Sequence, residues 1–485
     1  MKENATIDLD RESKGSSCEE TPFEKSNSLP KNKKNKKKNL NMTEGPFLKK
    51  IVIFIIPLIL TGLLQSFYNA ADLAVVGYFR GEIALAAVGS TGSLTNLIVG
   101  LFMGLSVGAG VVVAHSMGAL KYQRVNKIVH SAILLAGILG IFVAVVGIIF
   151  APQLLRMMDT PDSVIEHSVL YIRIIFCGVP ASMIYNYCAS MVRSTGDTKH
   201  PLIFLATSGL LNVALNLVMV VGFGFGVEGV AIATVASQYL SAVMILVFMA
   251  RSDGCLKFCV KRLRFHRALV KKMLYIGIPS GIQGSLFSLS NVMIQSAINS
   301  FGDAVMAGNT AASNLENFVY IAMNAVYQAS LTFVGQNVGA KTYRNIKKIT
   351  GLCLCSVVAI GLTTGGAILL FREFFVGLYA PGNAVVTEVA ITRLFSILPV
   401  YFLCGMMEVL AGAIRGMGKS VTTMVISLLG ACAFRIAWVK TIFMIVPKEI
   451  SWIYLSYPIS WLLVIIFDIL FLVYYYRQLV RTKES

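Results

Sequence analysis

The sequence predicts an all-α, polytopic membrane protein in which twelve transmembrane helices form two six-helix bundles related by a parallel internal repeat. Three observations lead to this fold class. Of the 485 residues, 56% are hydrophobic and 14% are charged, whereas soluble domains contain about 25% charged residues. Twelve apolar runs are long enough to cross a bilayer. The last six of these runs repeat motifs of the first six at a nearly constant offset.

The predicted spans fall into two sets of six. The first set lies near residues 51–79, 83–114, 131–155, 168–192, 201–223 and 229–249, and the second lies near residues 273–298, 304–334, 350–372, 389–414, 421–446 and 452–476. Connections after the even-numbered spans carry most of the Lys and Arg residues. By the positive-inside rule these connections and both termini face the cytoplasm, as in a multi-pass plasma-membrane protein. This bias accounts for much of the net charge of +18, so no nucleic-acid partner is expected.

The same features divide the chain into five parts. We expect a disordered basic cytoplasmic tail at residues 1–45, an N-lobe of helices 1–6 at 46–250, a cytoplasmic linker at 251–272, a C-lobe of helices 7–12 at 273–478, and a short cytoplasmic tail at 479–485. The basic run Lys31–Lys38 indicates a solvated segment, and anionic lipid headgroups are its alternative partner. No apolar core of a signal peptide precedes the first span.

The two lobes are copies of each other in sequence. The pair Ile56-Pro57 recurs as Ile278-Pro279, and the segment that begins at His115 recurs from Gln336. Because each copy contains an even number of spans, both copies enter the membrane from the same side, and their symmetry axis lies along the membrane normal. This arrangement predicts a substrate cavity between two bundles that rock to open it alternately to each side.

Asp72 is the only charged residue of the first predicted span. Gln65, Asn69 and Asp72 follow the spacing i, i+4, i+7, so they share one helix face. Since a carboxylate near mid-bilayer costs roughly 2.5–3.5 kcal/mol to insert, this face should meet a water-filled cavity or another helix. We expect Asp72 to be the ion-coupling carboxylate of a transporter. The ion is H⁺ or Na⁺, and Na⁺ would take oxygen ligands from the same three side chains.

Four other charged residues lie deep inside predicted spans. Glu408 and Arg435 lie in consecutive spans, where an ion pair would neutralise both charges; the alternative is a substrate or cation site in the C-lobe. Glu316 remains open between the same two interpretations. Asp468 is expected to hydrogen-bond a neighbouring helix.

Three basic side chains lie near the predicted cytoplasmic ends of spans. Arg193 and Arg415 are expected to interact with the carboxyl-terminal dipoles of their helices. His115 is expected to form a hydrogen bond rather than to titrate.

Polar, aromatic and methionine side chains of both lobes are candidates to line the cavity, although aromatic and Met residues commonly serve packing alone. The candidates are Tyr68, Met183, Tyr185, Asn186, Asn212 and Asn216 in the N-lobe and Gln283, Asn291, Gln295, Glu316, Glu408 and Arg435 in the C-lobe. The pair Cys255 and Cys259 has too few partners nearby for a zinc site. We therefore expect no cofactor and no metal other than the coupling cation.

Five segments resemble, in chain order, the motifs of the MATE (multidrug and toxic compound extrusion) family, within a resemblance that extends from Phe47 to Tyr476. They are Asp72–Gly77, Arg193–Pro201, Gly226–Thr234, Phe333–Ala340 and Glu408–Gly418. The resemblance implies a monomeric exporter of drugs and organic cations, driven by inward H⁺ or Na⁺. Asn216 departs from the family, many of whose members carry aspartate there, which implies that Asp72 acts with neutral helpers.

The nearest alternative is a lipid-linked saccharide flippase of a related fold. Such a flippase should line its cavity with several cations, whereas most Arg and Lys residues of this sequence fall at predicted loops. A channel or a membrane-embedded enzyme is a second alternative. No nucleophile–base pair or glycine-rich phosphate loop is found, so we expect no enzyme activity. A non-transporting receptor is the third. The expected partners are small cationic substrates and membrane lipid.

Overall fold

The computed structural model describes residues 40–158, 160–379, 383–445 and 449–484, and nearly all of these residues are helical. The helices are α1 (Phe47–Ser90), α2 (Gly92–Gly118), α3 (Tyr122–Met157), α4 (Asp162–Ser194), α5 (Lys199–Asn216), α6 (Val227–Ala250), α7 (Arg267–Asn299), α8 (Asp303–Gly339), α9 (Arg344–Leu370), α10 (Arg372–Gly377), α11 (Ala384–Ile397), α12 (Phe402–Gly416), α13 (Ser420–Ser427), α14 (Phe434–Ile445) and α15 (Ile450–Glu484). Lipid offers no hydrogen bonds to the backbone, so apolar runs of this length become helices.

The twelve predicted spans are confirmed as a two-bundle helical fold. Ten helices within the described residues are long and apolar enough to cross a membrane. An eleventh span is the pair α11 and α12, which bends by 46°. The twelfth is α7, which is less apolar because it carries the polar stripe that includes Gln283, Asn291 and Gln295. In the predicted eleventh span, α13 and α14 are joined by the π-helical turn Leu428–Ala433.

Each bundle has its own hydrophobic core, but the first helix of each lobe begins in the core of the other lobe. Ile51 and Phe54 of α1 are fully buried in the C-lobe core. Val270 and Met273 of α7 are buried in the N-lobe core. The two lobes therefore exchange the first turns of α1 and α7. The linker divides the lobes in sequence, but each core includes residues from the other side of that division.

Reciprocal hydrogen bonds join the two lobes at the end of the bundles where the linker residues 251–266 lie, here called the linker end. His115 of α2 donates through Nε2 to the carbonyl oxygen of Gly416, at 2.7 Å. Gln336 of α8, its counterpart in the repeat, donates through Nε2 to the carbonyl oxygen of Ser194, at 2.8 Å. The sequence prediction that His115 forms a hydrogen bond is thus met by a bond between lobes.

Close helix crossings seal the linker end. A Cβ atom on Gly118 would lie 1.8 Å from the carbonyl oxygen of Gln336, and one on Gly104 of α2 would lie 2.3 Å from the Cα atom of Gly281 on α7. Glycine is required because only a hydrogen side chain lets the two backbones approach this closely. The lobes are therefore closed at the linker end, and the space between them lies on the other side of the α2–α7 crossing.

The segment at residues 40–46, most of which belongs to the predicted disordered tail, is packed at the linker end. Met42 is fully buried. Its carbonyl oxygen accepts a hydrogen bond from Nδ2 of Asn337 at 2.9 Å, and the carbonyl oxygen of Thr43 accepts one from Nδ2 of Asn345 at 3.0 Å. The predicted tail boundary at residue 45 is thus too late. Residues 1–39 of the predicted tail lie outside the described residues.

Candidate functional site

The carboxylate of Asp72 lies on α1 and is held by neutral side chains of α5 and α6. Asn216 donates through Nδ2 to Oδ1 of Asp72. Thr234 Oγ1 lies 3.4 Å from Oδ2 of Asp72. Asn212 in turn donates through Nδ2 to Oγ1 of Thr234, at 3.3 Å. Two amides and one hydroxyl thus surround the carboxylate.

The surroundings of Asp72 suit a small cation. Within the part of the chain that the structure describes, no Lys, Arg or His forms an ion pair with this carboxylate. The Oδ1 atom of Asn216 is buried and has no hydrogen-bond partner among the described residues. A carboxylate beside an unsatisfied amide oxygen offers acceptors to a proton or ligands to Na⁺, and the site provides no charge that would compete with either ion.

The predicted stripe on α1 contributes less to this site than expected. Gln65 and Asn69 are exposed, and neither of them is hydrogen-bonded to Asp72. Tyr68, on the same stretch, packs its ring against Gly209 of α5 and donates to the carbonyl oxygen of Ala206 at 3.1 Å. The partners of Asp72 come from other helices because Gln65 and Asn69 are exposed, whereas Asn216 and Thr234 lie on helices packed against α1.

A cavity of about 620 Å³ lies between the lobes, mostly against the C-lobe. Six of the predicted candidates line it, namely Gln283, Asn291, Gln295, Glu316, Glu408 and Arg435. The other six do not, namely Tyr68, Met183, Tyr185, Asn186, Asn212 and Asn216. Of these, Met183 and Tyr185 belong to the N-lobe core, as the packing alternative states. The predicted residues thus separate into a C-lobe cavity and an N-lobe carboxylate site.

Arginines dominate the charged lining of the cavity. Four of them, Arg193, Arg393, Arg415 and Arg435, face two glutamates, Glu316 and Glu408. Arg393 is not among the residues predicted from the sequence, in which most cations are expected at loops. The opposite-charge rule for intramembrane residues would have identified it, because a glutamate inside a span requires a partner.

Glu316 of α8 and Arg393 of α11 form a bidentate ion pair. Nε and Nη2 of Arg393 each donate to one carboxylate oxygen, both at 2.8 Å. Nη1 of the same guanidinium donates to Oδ1 of Asn309, whose amide donates to Gln295 at 2.9 Å. Arg393 is 4% exposed, so this pair is neutralised inside the lobe.

The ion pair considered between Glu408 and Arg435 is not formed among the described residues. Arg435 of α14 instead donates through Nε to Oγ of Ser460 on α15, at 2.9 Å. Its guanidinium lies over the ring of Tyr457, 4.4 Å from the centroid, and near the ring of Trp461, at 5.8 Å. The two spans are consecutive, which made the pair plausible, but the Arg435 side chain turns to α15 instead.

Arg415 lies in the last turn of α12, yet its side chain turns into the protein instead of simply facing the helix end. Its guanidinium donates to the hydroxyl of Tyr327 and to Oε1 of Gln283, both at 2.6 Å, and to Oγ1 of Thr423 at 3.3 Å. All these partners are neutral. The helix-dipole interpretation is therefore incomplete, because this arginine also anchors polar side chains at the cavity.

Asp468 does not form the expected hydrogen bond to a neighbouring helix. It is fully buried in α15, and both of its carboxylate oxygens are without a hydrogen-bond partner among the described residues. This makes Asp468 the second intramembrane aspartate of the chain. Neither aspartate lines the cavity, but Asp72 receives hydrogen bonds from Asn216 and Thr234, whereas Asp468 receives none from the described residues.

Comparison with known proteins agrees with this architecture. The MatE family matches residues 57–218 and, a second time, residues 279–439, so the internal repeat is confirmed. The chain is 27% identical to the probable multidrug resistance protein YoeA of Bacillus subtilis, over 90% of this chain and 95% of the relative. It is 21% identical to the multidrug export protein MepA of Staphylococcus aureus, over 79% of this chain and 85% of the relative.

A solved structure extends the likeness to three dimensions. It is the outward-facing conformation of a multidrug resistance MATE family transporter of the MOP superfamily, which superposes with a TM-score of 0.85 at 20% identity and covers 92% of this chain and 99% of that one. At this identity the likeness concerns the fold. Since the family matches both repeats and together more than half of the chain, the chain belongs to the MatE family of multidrug efflux transporters.

Proposed function

We propose that this protein is a cation-coupled antiporter of the plasma membrane that exports small organic molecules by alternating access. Asp72 is the carboxylate that binds the coupling ion, H⁺ or Na⁺. The observation that carries this proposal is the site of Asp72, a carboxylate inside the membrane whose partners are neutral. A permanent counter-ion would neutralise the Asp72 carboxylate in both the inward-open and the outward-open state. With neutral partners, the carboxylate is charged until H⁺ or Na⁺ binds to it.

The mechanism follows from the contacts between lobes. With the linker end cytoplasmic, as the charge bias predicts, the structure is closed inside and its cavity is open outside. Binding of H⁺ or Na⁺ removes the net charge at Asp72, which frees α1 to repack against α5 and α6. Rocking to the inward-open state then breaks the reciprocal bonds of His115 and Gln336. The ion leaves to the cytoplasm and substrate enters.

The expected substrates are organic cations, which the family resemblance implies, and the multidrug names of the relatives support export of drugs. Glu408 provides a physical reason. It lines the cavity, and no arginine forms an ion pair with it among the described residues. A cationic group of a substrate would find its carboxylate available. We propose that the protein works as a monomer and contacts membrane lipid along both bundles.

One observation favours the flippase alternative. A flippase is expected to line its cavity with several cations, and four arginines line this cavity. A lipid diphosphate is therefore the second candidate substrate. Membership of the MatE family and the multidrug names of the relatives favour the exporter.

The test is efflux of a fluorescent organic cation from proteoliposomes, with a pH gradient and a Na⁺ gradient imposed separately. Acceleration by one gradient names the coupling ion. Asp72→Asn should insert normally and lose the acceleration completely, because its amide can neither take up a proton nor bind Na⁺ with a charge. Asp468→Asn, the same change at the other intramembrane aspartate, should keep it.

Full retention of coupling in Asp72→Asn would refute the proposed role. A response to neither gradient in the unmodified protein would favour the flippase, and movement of a labelled lipid diphosphate would then be measured.

A further inference from the structure

We propose that the C-lobe side of the cavity contains an anion-binding subsite centred on Arg435, which accepts the carboxylate or phosphate group of an amphiphilic organic substrate. This inference rests on the proposed export function, whose substrate class it makes more specific. It predicts that organic cations that also carry an acidic group are exported in preference to molecules that carry only positive charge.

The guanidinium of Arg435 is held in a fixed orientation with one edge unused. Arg435 is 3% exposed and lines the cavity. Its Nε donates a hydrogen bond to Oγ of Ser460, and its Cζ lies 4.4 Å from the ring centroid of Tyr457. Its Nη1 and Nη2 atoms have no hydrogen-bond partner among the described residues. The planar fork of guanidinium donors matches a carboxylate or a phosphate, so the subsite is preorganised for such a group.

The charge of Arg435 is uncompensated, unlike that of its neighbour in the same lobe. Arg393 is neutralised by both oxygens of Glu316. Arg435 has only a serine hydroxyl and aromatic rings, and no carboxylate pairs with it within the described residues. A buried charge without a counter-ion is unfavourable. An anionic group of the substrate would remove this penalty on binding.

The rest of the lining favours the same assignment. Arg193 and Arg415 add two further positive charges, and Arg415 is bonded to neutral groups only. Glu408 is the lining glutamate that remains for a cationic group. A molecule with a negative group at Arg435 and a positive group towards Glu408 would satisfy both, and an entirely cationic molecule would meet an excess of arginines.

Aromatic side chains supply an apolar surface next to the fork. The ring of Trp461 lies 5.5 Å from that of Tyr401 and 5.9 Å from that of Tyr457, and all three residues line the cavity. Rings in such tilted arrangements offer an apolar surface to flat hydrophobic molecules. The predicted ligand therefore joins an aromatic or otherwise apolar body to an acidic group.

The test uses a matched pair of dyes that differ in one charge. A rhodamine with a free carboxylate is zwitterionic, and its methyl ester is a cation of nearly the same size. Equilibrium binding to the purified protein in detergent, without any gradient, should favour the free carboxylate. Arg435→Gln should weaken binding of the carboxylate dye by about tenfold or more, because a charge-assisted pair is lost, and should leave ester binding unchanged or improved.

Two further variants keep the result interpretable. Arg435→Lys retains the charge without the planar fork and should restore part of the carboxylate preference. Ser460→Ala keeps the arginine but removes its Nε partner, so it should weaken carboxylate binding several-fold; it replaces Arg435→Gln if that variant does not fold. Equal loss of both dyes, or no loss of either, would overturn the subsite.

Competition experiments with the carboxylate dye show whether the anionic group belongs to a small molecule or to a lipid, and they test the subsite separately from the export function. Displacement of the carboxylate dye by inorganic phosphate supports the shared chemistry. Displacement only by a polyprenyl diphosphate, with no dye transported, would overturn a small-molecule substrate and favour a lipid. Because binding is measured without a gradient, Asp72→Asn should retain the carboxylate preference. In the unmodified protein, coupled efflux without a carboxylate preference would mean that the subsite proposal fails, and a carboxylate preference without coupled efflux would mean that the export proposal fails.

Discussion

The N-lobe holds one carboxylate among neutral amides, whereas the C-lobe surrounds its cavity with buried arginines, although the two lobes are copies of one sequence. The repeat aligns Asp72 with Ile294, which is 1% exposed in the C-lobe core. It aligns Glu408 with Asn186, whose amide merely bonds the carbonyl oxygen of Ser182 one turn earlier in its own helix. Each of these two carboxylates is therefore found in one lobe alone, Asp72 in the N-lobe and Glu408 at the C-lobe cavity.

At the linker end, in contrast, the two lobes remain alike, because repeat counterparts there make equivalent contacts. His115 and Gln336 are repeat counterparts, and each bonds the end of a helix in the other lobe. A gate made of two related contacts opens symmetrically when both break. We infer that duplication supplied the symmetric gate, and that substitution within one copy or the other supplied ion and substrate chemistry.

The largest expected effect on stability comes from breaking the ion pair of the C-lobe. Glu316→Gln leaves Arg393 buried without a counter-ion, which should lower the free energy of unfolding by about 3–5 kcal/mol. Thermal unfolding in detergent measures it. Asp72→Asn in the N-lobe has no ion pair to break and should change the melting temperature much less.

Glu408→Gln is the matched control within the C-lobe, because Glu408 lines the same cavity but has no arginine bound to it among the described residues. It should leave stability nearly unchanged. A loss in Glu408→Gln as large as that in Glu316→Gln would contradict the distinction between a paired and an available glutamate.

A smaller effect is expected where the lobes cross. Gly104→Ala places a Cβ atom 2.3 Å from the backbone of Gly281, so α2 and α7 must move apart, at a cost of about 1–3 kcal/mol to the closed linker end. Gly100→Ala, one turn away, meets Gly284 at 3.7 Å and should be tolerated. The reaction of a reporter cysteine at the linker end with a water-soluble thiol reagent measures opening. Equal reactivity of the two variants would show that the crossing does not hold the gate.

The sequence predicts the fold and the gate better than it predicts the polar contacts. Span positions follow from hydropathy, and the symmetry follows from the repeat, because both are one-dimensional properties of the chain. The partner of a charged side chain depends on how each helix is rotated against helices far away in sequence. Glu316 and Arg393 are 77 positions apart, whereas the consecutive spans of Glu408 and Arg435 suggested a pair that the rotation of their helices does not make.

The site of Asp72 shows the same limit on a smaller scale. The spacing of Gln65, Asn69 and Asp72 identifies the polar face of α1 but not the residues that meet it. Thr234 ends a family motif, Gly226–Thr234, yet nothing in the sequence links its hydroxyl to a carboxylate 162 positions earlier. The partners could have been found by asking which amide and hydroxyl side chains of α5 and α6 can face the polar side of α1.

The smallest expected effect tests the symmetry of the gate itself. His115→Ala and Gln336→Ala each remove one hydrogen bond between lobes, which should weaken the closed linker end by about 0.5–1.5 kcal/mol. If the repeat governs the gate, the two variants should shift the distance between spin labels on the two lobes by similar amounts. Because His115 and Gln336 lie at the same crossing of α2 and α8, the effect of the double variant should differ from the sum of the single effects. A large effect from one variant beside none from the other would mean that one lobe alone holds the gate.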